Sequence, residues 1–152
     1  MQTEMSSLVF LQYLTTVFDN IEDAIILVSI EPKQAYRLLM ANDAFFRNSG
    51  YTREAIGQSV EKIIPATSYE ELLRHYHQVV ATKKPTEYTQ RYRVPIGMVD
   101  HHTKLIPILN AVGETIQIAG IIHDVTELEH LRHKVRQTTE TLNGLADTLN
   151  TV

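Results

Sequence analysis

Residues 116–126 read Ile116-Gln117-Ile118-Ala119-Gly120-Ile121-Ile122-His123-Asp124-Val125-Thr126, an apolar, β-branched run that passes straight into a helix-forming segment. The first half has the composition of a buried strand. From there Leu128, Leu131, Val135, Thr138, Leu142, Leu145, Leu149 and Val152 fall alternately three and four residues apart, the a and d positions of a heptad seam. Thr126 and Glu129 have the spacing of a capping box, which would give the helix a defined start. No loop separates strand from helix, so a displacement of the strand is expected to reach the helix. With Leu128 as a, Glu127 is a g and Arg132 the following e position, the pair that meets across a parallel two-stranded coil. The seam therefore predicts a parallel homodimer, with Thr138 and Gly144 weakening its far end; the alternative is that these leucines pack back on their own domain.

A chain of 152 residues with 43% apolar and 21% charged content can bury one ordinary core and gives no sign of a second. Its net charge of −4, without a basic cluster, argues against nucleic-acid contact. The absence of cysteine excludes disulfides, thiolate metal sites and cysteine nucleophiles or adducts, and is compatible with a reducing cytoplasm. No apolar run approaches the roughly 20 residues that span a bilayer, and no basic signal-peptide start is present. The expectation is a soluble, cytoplasmic chain with no membrane segment.

Apolar side chains at Phe10, Leu14, Val17 and Ile21, with Leu11 and Phe18 beside them, predict an amphipathic helix over residues 1–21. Residues 23–30 are nearly all apolar and predict a strand covered on both faces, turning at Glu31-Pro32-Lys33 into a hairpin partner over 35–41. A short helix over 42–48 closes at Ser49-Gly50, Thr52 is placed to cap a further turn, and residues 60–64 add one more before Pro65. Ser68 and Glu71 repeat the capping-box spacing ahead of a longer helix ending near Thr82, whose stripe is Tyr69, Leu72, Leu73, Tyr76, Val79 and Val80. Residues 87–94 alternate, with Tyr88, Gln90, Tyr92 and Val94 on one face and Glu87, Thr89, Arg91 and Arg93 on the other. Strands over about 102–111 and 115–123, joined at Val112-Gly113-Glu114, complete an α+β pattern.

Over residues 11–127 this pattern resembles the PAS domain family. The resemblance is carried by Ile25 to Val28 in the first strand, Ala41-Asn42-Asp43-Ala44-Phe45 after the second, Gly50-Tyr51-Thr52-Arg53-Glu54 with Ile56-Gly57, and Asp124-Val125-Thr126-Glu127 at the end. It implies a five-stranded antiparallel sheet in the order 2-1-5-4-3, with short helices enclosing a pocket on one face. The domain organisation is then an N-terminal helix over 1–21, a PAS sensor domain over 22–125 and a coiled-coil signalling helix over 126–152. Asn42 is placed to cap the short helix and tie it to the sheet, Phe45 to plug the pocket floor, and Asp124, Thr126 and Glu129 to relay the last strand to the outgoing helix.

The family name supplies no ligand. Without cysteine, the photoadduct of light-oxygen-voltage flavin sensors and the thioester of coumarate receptors are both excluded. The haem sensors of the family take a histidine from the long helix, where this chain has His75 and His77; each lies about a quarter turn from the stripe centre at Tyr76, with His77 nearer Leu73 and Val80. A solvated flank is the plainer reading of both, so no cofactor is the leading expectation. Only one face of residues 87–94 can line the pocket. If it is the tyrosine face, Phe45, Tyr69, Tyr76, Tyr88, Gln90 and Tyr92 surround a small neutral or aromatic ligand, or none; if it is the other, Arg91 and Arg93 offer guanidinium contacts to a carboxylate. His101, His102 and His123 lack a carboxylate at convincing spacing for a metal site, and His130 and His133 fall on the outer coil positions c and f.

The expectation is thus a sensory and dimerisation module rather than an enzyme, passing a pocket or interface signal to an effector that lies beyond Val152 or on a separate chain. By resemblance that effector is a histidine kinase of a two-component system, a cyclic-di-nucleotide enzyme, a chemoreceptor or a transcriptional regulator. The rivals are a haem-based gas or redox sensor, an oligomerisation module whose pocket senses nothing, and a small α+β enzyme with His77 or His123 as general base, which would need a carboxylate to orient the histidine.

Overall fold

The quoted run is the middle strand of a five-stranded antiparallel sheet in the order β2-β1-β5-β4-β3. A computed structural model describes residues 2–151, with side chains from residue 6 onward; Met1 and the last seam position, Val152, lie outside the described residues. The strands are β1 (Ala24–Glu31), β2 (Ala35–Ala41), β3 (Thr86–Val94), β4 (Gly97–Leu109) and β5 (Thr115–Asp124). The helices are α1 (Gln2–Asn20), α2 (Asp43–Ser49), α3 (Val60–Ile63), α4 (Ala66–Thr82) and α5 (Thr126–Asn150). Helices α2, α3 and α4 cover one sheet face, and the core between them is built from Val28, Tyr36, Leu38, Leu72, Tyr76, Val79, Leu105 and Ile118.

Period-two burial decides which face each strand turns inward. On β3, Gln90, Tyr92 and Val94 are buried while Arg91 and Arg93 are exposed, so the tyrosine face is the inner one. On β1, Ala24, Ile26 and Val28 are buried, but Ile25 and Leu27 are only partly covered, which corrects the expectation of a strand covered on both sides. The same holds on β5, where Ile118, Gly120 and Ile122 point inward and Ile116 and Ile121 stay exposed. Met40, Leu27, Ala119 and Ile106 lie abreast across β2, β1, β5 and β4, so the outer face carries an apolar band in which Met40 is exposed and the others are partly covered.

Asn42 is wholly buried and closes the sheet's lower corner with four hydrogen bonds. Its Oδ1 accepts from the Ile25 and Phe45 amides at 2.9 and 3.2 Å, and its Nδ2 donates to the Phe18 and Asp23 carbonyls at 3.0 and 2.9 Å. One side chain therefore caps α2 and binds the end of α1 to β1. Helix α2 ends at Gly50, whose φ of +82° and close neighbour Ile96 leave no room for a Cβ.

Three local expectations fail. Helix α4 begins at Ala66 behind Pro65, so Ser68 already lies in its first turn and forms no capping box; its carbonyl instead accepts from Gln90. Thr52 makes no side-chain cap to the 3-10 turn Arg53–Ala55. Strand β4 begins at Gly97, five residues before the predicted start, because backbone pairing with β3 carries through the polar His101-His102-Thr103 stretch.

Candidate functional site

A cavity of about 70 Å³ lies between the inner sheet face and α2, α3 and α4. Its wall is mostly aliphatic, with Ile26, Val28, Leu38, Ile63, Ile64, Leu72, Leu105 and Ile122, and it also takes in Phe45, Tyr76, Tyr88, Tyr92, His101 and Thr103. Of the six residues expected to form the pocket, Phe45, Tyr76, Tyr88 and Tyr92 line it, and Tyr69 and Gln90 stand behind the wall. Gln90 has a supporting place: its Nε2 donates to the Ser68 carbonyl at 2.9 Å and its Oε1 accepts from the Tyr92 hydroxyl at 2.8 Å. That bridge fixes the tyrosine and ties β3 to the start of α4.

The tyrosines pack as a cluster whose phenols stay protonated. Tyr36 meets Tyr76 edge-on, with ring centroids 4.9 Å apart. Burial pushes the hydroxyls of Tyr36 and Tyr88 up to about 12 and raises those of Tyr76 and Tyr92 as well, with neighbouring phenols adding to the rise at Tyr36, Tyr76 and Tyr92. The Tyr76 hydroxyl has no hydrogen-bond partner among the described residues.

Neither helix histidine enters the cavity. His75 stacks flat on Tyr88, with centroids 3.6 Å apart, and burial lowers its pKa. His77 lies against Tyr36 at 6.0 Å, and its buried Nε2 has no hydrogen-bond partner among the described residues. The residues present do not fit a haem, because no imidazole from α4 faces the cavity and the space is well below that of a porphyrin. The histidine that does line the cavity is His101, which also borders a smaller crevice ending at Asp124. With His102 and His123 it stands in the sequence only as a weak metal candidate; the signal for its place is register, two residues from the buried Thr103 and so on the same inner face.

His101 stands opposite Asp124 in the β4–β5 ladder, where the sheet hands over to α5. The expected capping box is absent there: Val125 is the N-cap residue, and Glu129 forms an ion pair with Arg132 at 3.2 Å instead of reaching back. Asp124 supplies the cap, its Oδ1 accepting from the Thr126 amide at 2.9 Å and from the Thr126 hydroxyl at 2.5 Å. The Thr126 oxygen is engaged a second time by the Asp100 amide at 2.9 Å, and the Asp100 carbonyl accepts from the Val125 amide at 2.8 Å. The box spacing misleads because Thr126 is already the first helical residue, one past the N-cap position, and its hydroxyl is turned to Asp100 and Asp124 rather than to the helix amides.

The buried Asp100 carboxylate is in turn held by Arg91, with Nε and Nη2 at 3.0 and 3.1 Å from its two oxygens. Strands β3, β4 and β5 thus converge on the first residue of α5. Sequence reading missed Asp100 because its partners lie 9 and 26 residues away. His123 also finds a carboxylate, Asp23 at 2.6 Å, but the pair is exposed and lies outside the cavity wall. Among the described residues no cluster of metal-ligating side chains occurs, and no helix is long and apolar enough to cross a membrane.

Beyond the junction the seam is open. Leu128, Leu131, Val135, Leu142, Leu145 and Leu149 are all exposed, so they do not pack back on their own domain. On α1, Leu8, Phe10, Leu11, Leu14 and Val17 are exposed as well.

The family model described as the PAS fold matches residues 18–130, and the chain belongs to the PAS family. Among solved structures, an RNA-binding light-oxygen-voltage receptor is similar at 22% identity and a TM-score of 0.71, over 85% of this chain and 37% of the receptor. The chain therefore corresponds to little more than a third of that protein's length. The PAS domain of a Colwellia psychrerythraea protein is similar at 21% identity and a TM-score of 0.66, covering 78% of this chain and 98% of the other. A PAS domain from a two-component sensor histidine kinase is similar at 17% identity and a TM-score of 0.60, again over 78% and 98%. At such identities the likeness is one of fold. The curated protein sequences contain no match to this chain.

Proposed function

We propose that this chain is the sensory and dimerisation module of a signal-transduction protein. A small molecule in the cavity, or a partner on the sheet, shifts β5, and the junction at Asp124, Val125 and Thr126 passes that shift to α5. The effector is a separate domain in cis or a separate chain, of the histidine kinase, cyclic-di-nucleotide, chemoreceptor or transcriptional-regulator kind. The reading is supported chiefly by the junction: helix α5 starts within one residue of β5 and is pinned through Thr126 to both Asp124 and Asp100. Membership of the PAS family, with a sensor-kinase PAS domain among its structural relatives, agrees with it.

The output partner in this reading is a second copy, joined through parallel α5 helices. The exposed leucine seam supports that, since burying each leucine is worth roughly 1.5–3 kcal/mol. The apolar strip of α1 and the outer sheet band are of matching character and would meet across the same dimer. Native mass spectrometry combined with an absorption spectrum of freshly expressed protein tests both halves. A dimer that becomes monomeric in Leu131→Asp supports the parallel-helix assembly, and an unchanged dimer moves the interface to α1 and the sheet. A single-copy native protein overturns the dimer half of the reading, whereas a visible chromophore or a co-purifying small molecule supports its sensory half.

A further inference from the structure

The cavity has a size and a polarity that together narrow what it holds, an inference that rests on the sensory reading above. Its 70 Å³ is about half the ~150 Å³ of an engineered apolar cavity that takes benzene, and several times the ~10–15 Å³ that a single water needs. A molecule of roughly three or four heavy atoms fits without repacking. The aliphatic wall gives water too few partners to be held well. Yet the wall is not wholly apolar: Tyr76 on α4 brings a hydroxyl without a protein partner, and His101 on β4 brings an imidazole with no hydrogen bond among the described residues.

Charge narrows the class further. Among the described residues no lysine or arginine lines the cavity, and Arg91 on β3 is turned outward onto Asp100. Asp100 and Asp124 flank His101 and would repel an anion approaching that end, while the aliphatic wall disfavours a bare cation.

We propose that the cavity binds a small neutral oxygen-bearing molecule, a short-chain alcohol, aldehyde or ketone, with its carbon end against Ile26, Leu105 and Ile122 and its oxygen on the Tyr76 hydroxyl. His101 is the second polar contact and, standing opposite Asp124, the residue nearest the junction that can feel the ligand.

The test uses the full chain with isotope-labelled isoleucine, leucine and valine methyls, titrated with acetone and propan-2-ol as neutral probes, acetate as the isosteric anion and xenon as a purely apolar probe. Saturable shifts at the Ile26, Leu105 and Ile122 methyls with acetone and propan-2-ol, and none with acetate, are expected. Tyr76→Phe keeps the ring and should weaken the oxygenated probes about five- to tenfold while leaving the xenon response in place. Acetate binding as well as acetone, or an unchanged affinity in Tyr76→Phe, overturns the proposal, and the acetate comparison needs no variant. A larger molecule that co-purifies and occupies the same methyls overturns this ligand class but leaves the sensory reading standing. No saturable response to any probe, xenon included, removes the ligand-binding half of both.

Discussion

The backbone amide of Asp100 donates a 2.9 Å hydrogen bond to the side-chain oxygen of Thr126, joining the first part of β4 to the first residue of α5. The same threonine hydroxyl donates to Asp124, so a single oxygen links two neighbouring strands to the departing helix. Replacing it with valine keeps the shape and removes both bonds. Thr126→Val is expected to cost about 1–3 kcal/mol in urea unfolding, because the Asp100 amide is left without an acceptor. Hydrogen exchange should rise at Val125 and through the first turn of α5 while the β1–β2 hairpin is unchanged; equal exchange at the junction in both proteins would show that Thr126 does not clamp it.

Asn42 lends itself to a comparison of two substitutions. Asn42→Ala removes the acceptor of the Ile25 amide and the donor to two carbonyls, leaving the Phe45 amide only its bond to the Asn42 backbone carbonyl, and a loss of about 3 kcal/mol is expected. Asn42→Asp is nearly isosteric but turns an acceptor toward the Phe18 and Asp23 carbonyls in place of a donor. It should destabilise to a similar extent in chemical denaturation, whereas a loss confined to Asn42→Ala would show that packing rather than donor chemistry matters there.

Gly120 sits where β5 passes between β1 and β4, and a Cβ there would lie 2.8 Å from Cγ1 of Ile26. Gly120→Ala is expected to cost about 1–3 kcal/mol through overpacking. Combined with Ile26→Ala the two effects should be clearly less than additive, since the second change removes the atom struck. Thermal melts of the four proteins provide the cycle, and simple additivity would argue against the clash.

Stability should fall at both ends of the pH scale, for opposite reasons. The Tyr36 and Tyr88 phenols are raised to about 12 by burial, so the native state holds protons that the unfolded chain gives up near pH 10. That contribution is complete below about 10 and is lost as pH climbs from about 10 to 12. Burial lowers the pKa of His101 and His75, so the unfolded chain binds protons first on acidification. Their contribution is complete above about 6.5 and declines as pH falls below it. Chemical denaturation midpoints across pH should therefore form a plateau between about 6.5 and 10, with the phenolate absorbance of the buried tyrosines appearing only as the protein unfolds.

Much of the architecture was legible because it rests on local rules. The alternation over Tyr88, Gln90, Tyr92 and Val94 separated the two faces of β3, and Asn42 and Gly50 marked the two ends of α2. What escaped was decided by competition between distant groups. Thr126 and Glu129 have the spacing of a cap, but the threonine is claimed by Asp100 from another strand. The apolarity of β1 reads as burial on both faces, yet its outer half faces the open side of the sheet. His101 gave no signal as a residue type; its place in the wall follows from a strand that starts earlier than its polar sequence suggests.

Because the Asn42 knot reaches back no further than the Phe18 carbonyl, the first two-thirds or more of α1 can be trimmed without touching it. A shortened chain starting just ahead of Phe18 should keep its melting temperature while losing most of the greasy strip that precedes it. Autonomy of the globule and stickiness of its leading rod are thereby separable by one well-chosen cut.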